Sequence, residues 1–254
     1  MTLTVRVWLY RILIVVVALA TWQYVSDKSA YVHFFMGSPT QVCVRLHEWF
    51  SSGLIYRHLG VTLLETLLSF TVGTMLAFAL GLFLALNATM AAVLDPFIKA
   101  LNSMPRVILA PIFMVWFGLG IWSKVALGIT LVFFIVFFNV FQGIKQVSPV
   151  VLANVRMLGA TPSQLVRRVY IPSAMTWVFS SLHISVGMAF VGAVIGEYLG
   201  SSAGVGYLIL QAESTFDING VLAGVILLTT CALILDFAIG VIERRLLRWQ
   251  PGTI

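Results

Sequence analysis

Long apolar runs separated by short polar stretches dominate the chain. The runs are Val7–Val25, Val61–Leu86, Val107–Ile121, Val125–Phe141, Ala174–Ile195 and Val221–Ile242. A helix needs roughly 20 apolar residues to cross the hydrocarbon of a bilayer. The pattern therefore predicts about six transmembrane helices. The first run is read as a retained span and not a cleaved leader, because Trp22, Gln23 and Tyr24 follow it and no small-x-small cleavage pattern does. Gly73 and Gly81 in the second run permit close helix contact. Pro111 interrupts the third.

Composition agrees with the runs. Hydrophobic residues make up 60% of the 254 positions and charged residues 9%, against about 25% charged in a soluble domain. The expected fold class is an all-α polytopic membrane protein. A net charge of +6 would suit nucleic acid. Here the basic residues flank the runs, as in the positive-inside pattern, and no nucleic-acid partner is expected. With the N-terminus inside, Arg6, Arg11, Lys99, Arg106, Lys145, Arg156, Arg167, Arg168, Arg244, Arg245 and Arg248 fall inside. Lys28, Arg45, Arg57 and Lys124 fall outside. This bias puts both termini in the cytoplasm. Aromatic residues such as Trp22, Trp49, Trp122, Trp177 and Trp249 near the run ends act as interface anchors.

The external stretch Ser26–His58 holds His33, His47 and His58, at spacings that fit no metal-ligand pattern, so a surface connection is expected. Cys43 lies in this polar stretch and Cys231 inside an apolar run, so no disulfide and no cysteine metal cluster are expected. Metal ligands are assigned to none of the residues.

The most informative segment lies between the fourth and fifth runs, from Ser148 to Pro172. It reads as two short helices. Ser148 is placed as an N-cap with Pro149 in the first helical position. Val151, Leu152, Val155 and Leu158 recur at helical spacing. Gly159 suits a left-handed stop. Thr161 caps the second helix, Pro162 opens it, and Gln164 completes a capping box. Pro172 is expected to stop that helix before the fifth span. A DNA-reading helix-turn-helix is excluded by the flanking spans. A hairpin lying on lipid and a docking element for a cytoplasmic partner remain, and the second is the sharper reading.

The spacing from Gly159 through nine residues to Val169-Tyr170-Ile171-Pro172 resembles the G-x9-I-x-L-P loop of ABC importer permeases. Met104–Leu127 is similar to the P-x-x-A-L-x-P-x-x-x-x-W-F-G-x-G-x-x-S-K run of the nitrate/sulfonate/taurine group. His58–Leu63, Gly196–Ile209 and Leu235–Trp249 agree with that group in order. The resemblance spans roughly His58–Trp249. Departures exist: the family's glutamate falls at Ala153, its following alanines at Asn154 and Val155, an often basic position at Glu65 and a common glycine at Ser69.

The resemblance implies a type I ABC importer transmembrane domain over 58–249, with coupling loop 148–172, preceded by a helix and external connection over 1–57 and followed by a tail, 250–254. It implies two ATPase subunits, a second permease copy forming a homodimer, an external solute-binding protein and membrane lipid as partners. ATP and magnesium would sit on the ATPase; the chain itself binds no cofactor. The coupling contacts fall on Leu152, Ala153, Val155, Arg156, Gly159, Ala160, Gln164, Leu165 and Arg168. The chain has no G-x-x-x-x-G-K-[ST] phosphate loop and no HExxH or GxSxG motif, so it is expected to be non-catalytic.

Ionisable residues inside spans default to functional candidates. Glu65, His183, Glu197 and Asp236 qualify. Ser181, His183 and Ser185 share the fifth run, and Glu197 precedes the glycine-rich stretch with Gly204 and Gly206; these six are the candidates for lining a solute path. Asp236 reads better as a helix-packing partner. The expected function is a permease subunit for a small polar, anionic solute. An ion-driven secondary carrier would need internal inverted repeats, which the sequence does not show. A membrane enzyme would need a clustered acid/base set.

Overall fold

The computed structural model describes residues 3–246. Arg248, Trp249 and the tail 250–254 lie outside the described residues, as do the side chains of Ser180, Glu243, Arg244 and Arg245. The described chain is helical from end to end. Its helices are α1 (Leu3–Ser26), α2 (Ala30–Met36), α3 (Pro39–Ser51), α4 (Leu54–Leu86), α5 (Ala88–Ser103), α6 (Ala110–Phe117), α7 (Ile121–Lys145), α8 (Pro149–Met157), α9 (Pro162–Leu165), α10 (Ile171–Leu199), α11 (Val205–Ser214) and α12 (Ile218–Leu246).

Three long helices make the core. Small residues let α4 and α7 approach, and the pairing fixes their direction. A Cβ added to Gly73 would lie 3.1 Å from Val132 Cβ, and one on Gly81 3.1 Å from Val140 Cβ. Both positions advance together, so α4 and α7 run parallel. On the other side of α7, Gly192 of α10 meets Gly128 and Gly143 meets Trp177 of α10, so α7 and α10 are antiparallel. Ala77, Leu84, Val132, Val136, Phe137, Val140, Ala174 and Val178 fill the space between them. In lipid such close packing, and not hydrophobic expulsion from water, holds helices together.

Parallel packing of α4 and α7 demands that the chain recross the membrane between them. It does so in two pieces. Among the described residues, five continuous helices are long and apolar enough to span, and α5 together with Arg106–Phe117 forms a further pair bent by 86°. The third crossing therefore differs from the span expected over Val107–Ile121, interrupted by Pro111. Its first half, α5, comes from a stretch that reads as a connection. Pro105 caps a 3-10 turn over Arg106–Leu109, and Pro111 sits in the first turn of α6. A proline removes an amide donor and fixes φ, so the helix breaks there. The start of α1, the ends of α4, α7 and α12, and the start of α10 thus share the face that carries α8 and α9.

The stretch expected as a surface connection, Ser26–His58, is largely helical. Ser26 Oγ donates to Gly37 O at 2.6 Å, tying the end of α1 to the end of α2, and Ser38 N–H donates to Asn219 Oδ1 at 3.0 Å, tying the start of α3 to the start of α12. Arg45 bridges Glu48 at 2.9 Å and Asp217 at 2.8 Å on the same face.

Candidate functional site

The loop between α7 and α10 is built from local signals. Gly159 has φ +79, the left-handed stop after α8. Thr161 and Gln164 form the reciprocal capping box: Thr161 N–H donates to Gln164 Oε1 at 2.8 Å, and Gln164 N–H to Thr161 Oγ1 at 3.4 Å. Pro149 and Pro162 open their helices, while the Ser148 side chain makes no cap bond. Pro172 departs from expectation. It does not stop the second arm. α9, a π-turn over Val166–Tyr170 and α10 follow without a gap, and Pro172 sits in the first turn of α10. The wider π register rearranges the carbonyls where proline cannot donate. The second arm of the loop is therefore the lower end of the α10 rod.

The outward face of the loop is apolar at its apex. Met157 is 85% and Leu158 87% exposed, with Val150 and Val151 also exposed. Ala153, Arg156, Gly159, Gln164, Arg167 and Arg168 are exposed too, whereas Leu152, Val155 and Ala160 are half-buried. Leu165 is buried, lining a pocket of about 510 Å³ with Leu86, Arg156, Ala160, Pro162 and Tyr170. Met157 and Leu158, absent from the residues expected to dock, take the outermost position. An amphipathic count treats Leu158 as inward facing, because it cannot see that the helix ends one residue earlier.

At the opposite face lies a buried polar junction. Glu197, at the end of α10, is fully buried, and Glu65 in α4 is 1% exposed. Thr62 Oγ1 donates to Glu197 Oε1 at 2.6 Å, and Gly206 N–H donates to Glu197 Oε2 at 2.8 Å. Val205 N–H donates to Thr62 Oγ1 at 3.0 Å and Gly204 N–H to His58 Nδ1 at 3.0 Å. The α10–α11 turn is thereby stitched to α4. A Cβ on Gly204 (φ +112) would overlap the Glu197 carboxylate, so this position requires glycine on two counts. Glu65 faces Glu197, and one of its oxygens, Oε2, has no hydrogen-bond partner. Lys124 stands close to both carboxyls.

Lys124, at the start of α7 on the face opposite the loop, is not a solvated flanking charge. It is fully buried, and its Nζ donates to the carbonyls of Leu119 and, at 3.0 Å, Gly120. Gly196 makes room for its stem. Glu65 does not reach water as a span-end carboxylate would. Glu197, Gly204 and Gly206 stand within this packed junction. His58 is committed to Gly204, while His33 Nδ1 lies 2.9 Å from Ser26 Oγ on another element.

Ser181 and Ser185 face inward. Ser181 Oγ donates to Val178 O at 2.8 Å, and Ser185 Oγ is buried without a hydrogen-bond partner. His183 points to the other side of α10, where Nδ1 lies 2.8 Å from Asp236 Oδ1 of α12. Ser181 and Ser185 share one face of α10 and His183 lies on the opposite one, because a step of two residues turns a helix by about 200°. Cys43 is exposed and Cys231 half-buried, and neither is in a disulfide.

A bundle of long apolar helices with a capped hairpin projecting from one face is the frame of a multi-span membrane protein. Residues 73–248 match the family model of the binding-protein-dependent transport system inner membrane component, and the chain belongs to that family. It is 31% identical to the formylaminopyrimidine transport permease of Halalkalibacterium halodurans, over 90% of this chain and 91% of that one. It is 26% identical to the taurine transport system permease of Escherichia coli, over 92% and 87%. The fold is similar to the MetNI methionine ABC transporter in an inward-facing conformation, with TM-score 0.66 and 20% identity, over 76% of this chain and 95% of that chain. The chain is a permease subunit of an ABC importer, of the nitrate/sulfonate/taurine group, with the type I importer transmembrane fold.

Proposed function

We propose that the chain forms, with a second copy of itself, the translocation path for a small polar solute handed over by an external binding protein. Two ATPase subunits dock from the cytoplasm on α8 and α9, and both termini share that side. ATP and magnesium belong to the ATPase subunits, and hydrolysis takes place there. The observation that carries this reading is the loop itself. An exposed apolar apex at Met157 and Leu158 leads, through the short turn at 159–161, into a continuous helical rod from α9 to α10 that crosses the membrane. A push on the apex is transmitted along hydrogen-bonded backbone to the packed core. Alternating access then follows as a rigid-body rearrangement of the two halves. The relatives carry formylaminopyrimidine and taurine according to their names, so the solute falls among small polar organic molecules.

The test is reconstitution in proteoliposomes. The chain purified alone should hydrolyse no ATP. With its ATPase and binding protein it should import solute only when ATP is supplied on the loop side. Uptake driven by an ion gradient without ATPase would establish the secondary-carrier reading instead.

A further inference from the structure

Arg106 is used neither by the docking loop nor by the buried junction. It stands at the elbow between α5 and α6, where the third crossing bends by 86°. Its guanidinium carbon lies 4.8 Å from the centre of the Phe134 ring on α7. At 1.5 Å per residue Phe134 is ~17 Å from the loop end of α7 and ~20 Å from its other end, so this cation sits near the middle of the membrane and not at its inner edge. Among the described residues only its Nη2 donates, to the two oxygens of Asn102, and Nε is buried without a partner. The ion pairs among the described residues take Arg45, Lys99 and His183 and leave Arg106 out. A cation at that depth is costly unless an anion meets it.

Asp236 of α12 stands at nearly the same depth. Its Oδ1 lies 2.8 Å from His183 Nδ1 on α10, and its Oδ2 has no hydrogen bond among the described residues. The contacts of Gly128 with Gly192 and of Gly143 with Trp177 set the register of α10 on α7. In that register His183 is level with Phe137, less than a turn from Phe134 and ~4.5 Å from it along the axis. The Asp236 side chain is 64% exposed. Leu233, Ile234 and Phe237 beside it are exposed and apolar, and Val107, Ile108 and Ile112 make a similar apolar edge around Arg106.

The two residues lie at opposite ends of one layer of helices. α6 packs on α7, α7 on α10 and α10 on α12, with α4 behind α7 and α10. The elbow forms one end of this row and α12 the other. Two copies inserted in the same direction are related by an axis along the membrane normal, which leaves depth unchanged. A two-fold axis of this kind closes two rows into a ring, with each elbow against the other copy's α12 and every contact made twice. We propose that Arg106 of each copy forms an ion pair with Asp236 of the second copy, across the seam between the two permease chains. A carboxylate accepts at both oxygens, so His183 keeps Oδ1 while the guanidinium takes Oδ2. The pairing rests on the reading that two copies form the path, and it names the surfaces by which they join.

The test co-expresses two differently tagged chains with the ATPase, one carrying Ile108→Cys and the other Leu233→Cys, both with Cys43→Ser and Cys231→Ser. Both charges stay in place. Treatment of membranes with a short bis-maleimide should give a covalent dimer bearing both tags, and at least tenfold less when all chains carry the same cysteine. In a second measurement Arg106→Gln and Asp236→Asn should each lower the ratio of dimer to monomer in detergent at least tenfold. The double variant should lose no more than either single one, because two residues that act only on each other are not additive. Absence of the two-tag product from assembled complex, or losses that add in the double variant, overturns the proposal. A single permease chain in the native permease–ATPase complex, read by native mass spectrometry, would instead defeat the reading that two copies form the path.

Discussion

Thr62 Oγ1 stands 2.6 Å from Glu197 Oε1, binding a hydroxyl of α4 to a carboxylate at the far end of α10. The same hydroxyl accepts from Val205 N–H, and the other carboxylate oxygen accepts from Gly206 N–H. One threonine thus serves three helices. Thr62→Val keeps the shape and leaves a buried carboxylate oxygen and an amide without their partner. A hydrogen bond to a charged group is worth roughly 1.5–3 kcal/mol, so a loss of about that size is expected. It should register as a lowered thermal midpoint of the purified complex, with ATPase binding retained. A midpoint equal to that of the native complex would remove the junction from the list of stabilising features.

Gly204 and Gly159 both have positive φ, yet their substitution should differ. Nothing lies within 4 Å of a Cβ on Gly159, so only backbone strain of about 1–2 kcal/mol opposes a side chain there. Gly204 adds collision with the Glu197 carboxylate. Gly204→Ala is expected to cut the yield of folded protein severely, read by size-exclusion chromatography in detergent. Gly159→Val should insert and fold normally but uncouple ATP hydrolysis from uptake. Normal coupling in Gly159→Val would mean that the loop tolerates a shifted apex.

The loop was legible in the sequence because its signals are local. Gly159, Thr161 and Gln164 act over three or four positions, and the structure repeats them. The broken crossing was not legible in the same way. α5 carries Asp95, Lys99 and Asn102 among its apolar residues, and mixed polarity reads as a connection. Only the parallel packing of α4 on α7 reveals that the chain must recross there. Lys124 beside Trp122 and Ser123 has the look of an interface anchor. What buries it is the space left by Gly196 and the carboxyls of Glu65 and Glu197, all from other helices. Glu65 and Glu197 stand out singly, but nothing in one chain's spacing places them face to face.

Sidedness gives a labelling experiment. Cys43 is exposed on α3, next to the network of Ser38, Arg45 and Asp217, on the face opposite the docking loop. Cys231 lies half-buried within α12. A membrane-impermeant maleimide applied to intact spheroplasts should modify Cys43 and spare Cys231. Modification of Cys43 only after lysis would put α8 and α9 on the outside and make ATPase docking there untenable.

The sharpest prediction concerns the apex of the docking loop. Met157 and Leu158 are its most exposed large apolar side chains, at 85% and 87%. Exposed apolar groups on a projecting turn gain by burial in a partner, at roughly 25 cal/mol per Å² of area removed from water, and a few such residues carry most of an interface's energy. The neighbouring Arg156 and Arg168 add exposed charge that salt screens. Met157→Ser with Leu158→Ser should therefore abolish ATPase co-purification at any ionic strength. Arg156→Ala with Arg168→Ala should weaken it most at low salt, where the lost attraction was strongest. A photocrosslinker at Leu158 should reach the ATPase, and one at Leu165 should not, because Leu165 is turned into the pocket against Leu86 and Tyr170. None of these changes touches the spans, whose backbone bonds are internal, so membrane insertion should be unaltered. Crosslinking at Leu158 to lipid and not to protein, with co-purification intact in the double serine variant, would make this loop a surface hairpin and move the docking site elsewhere.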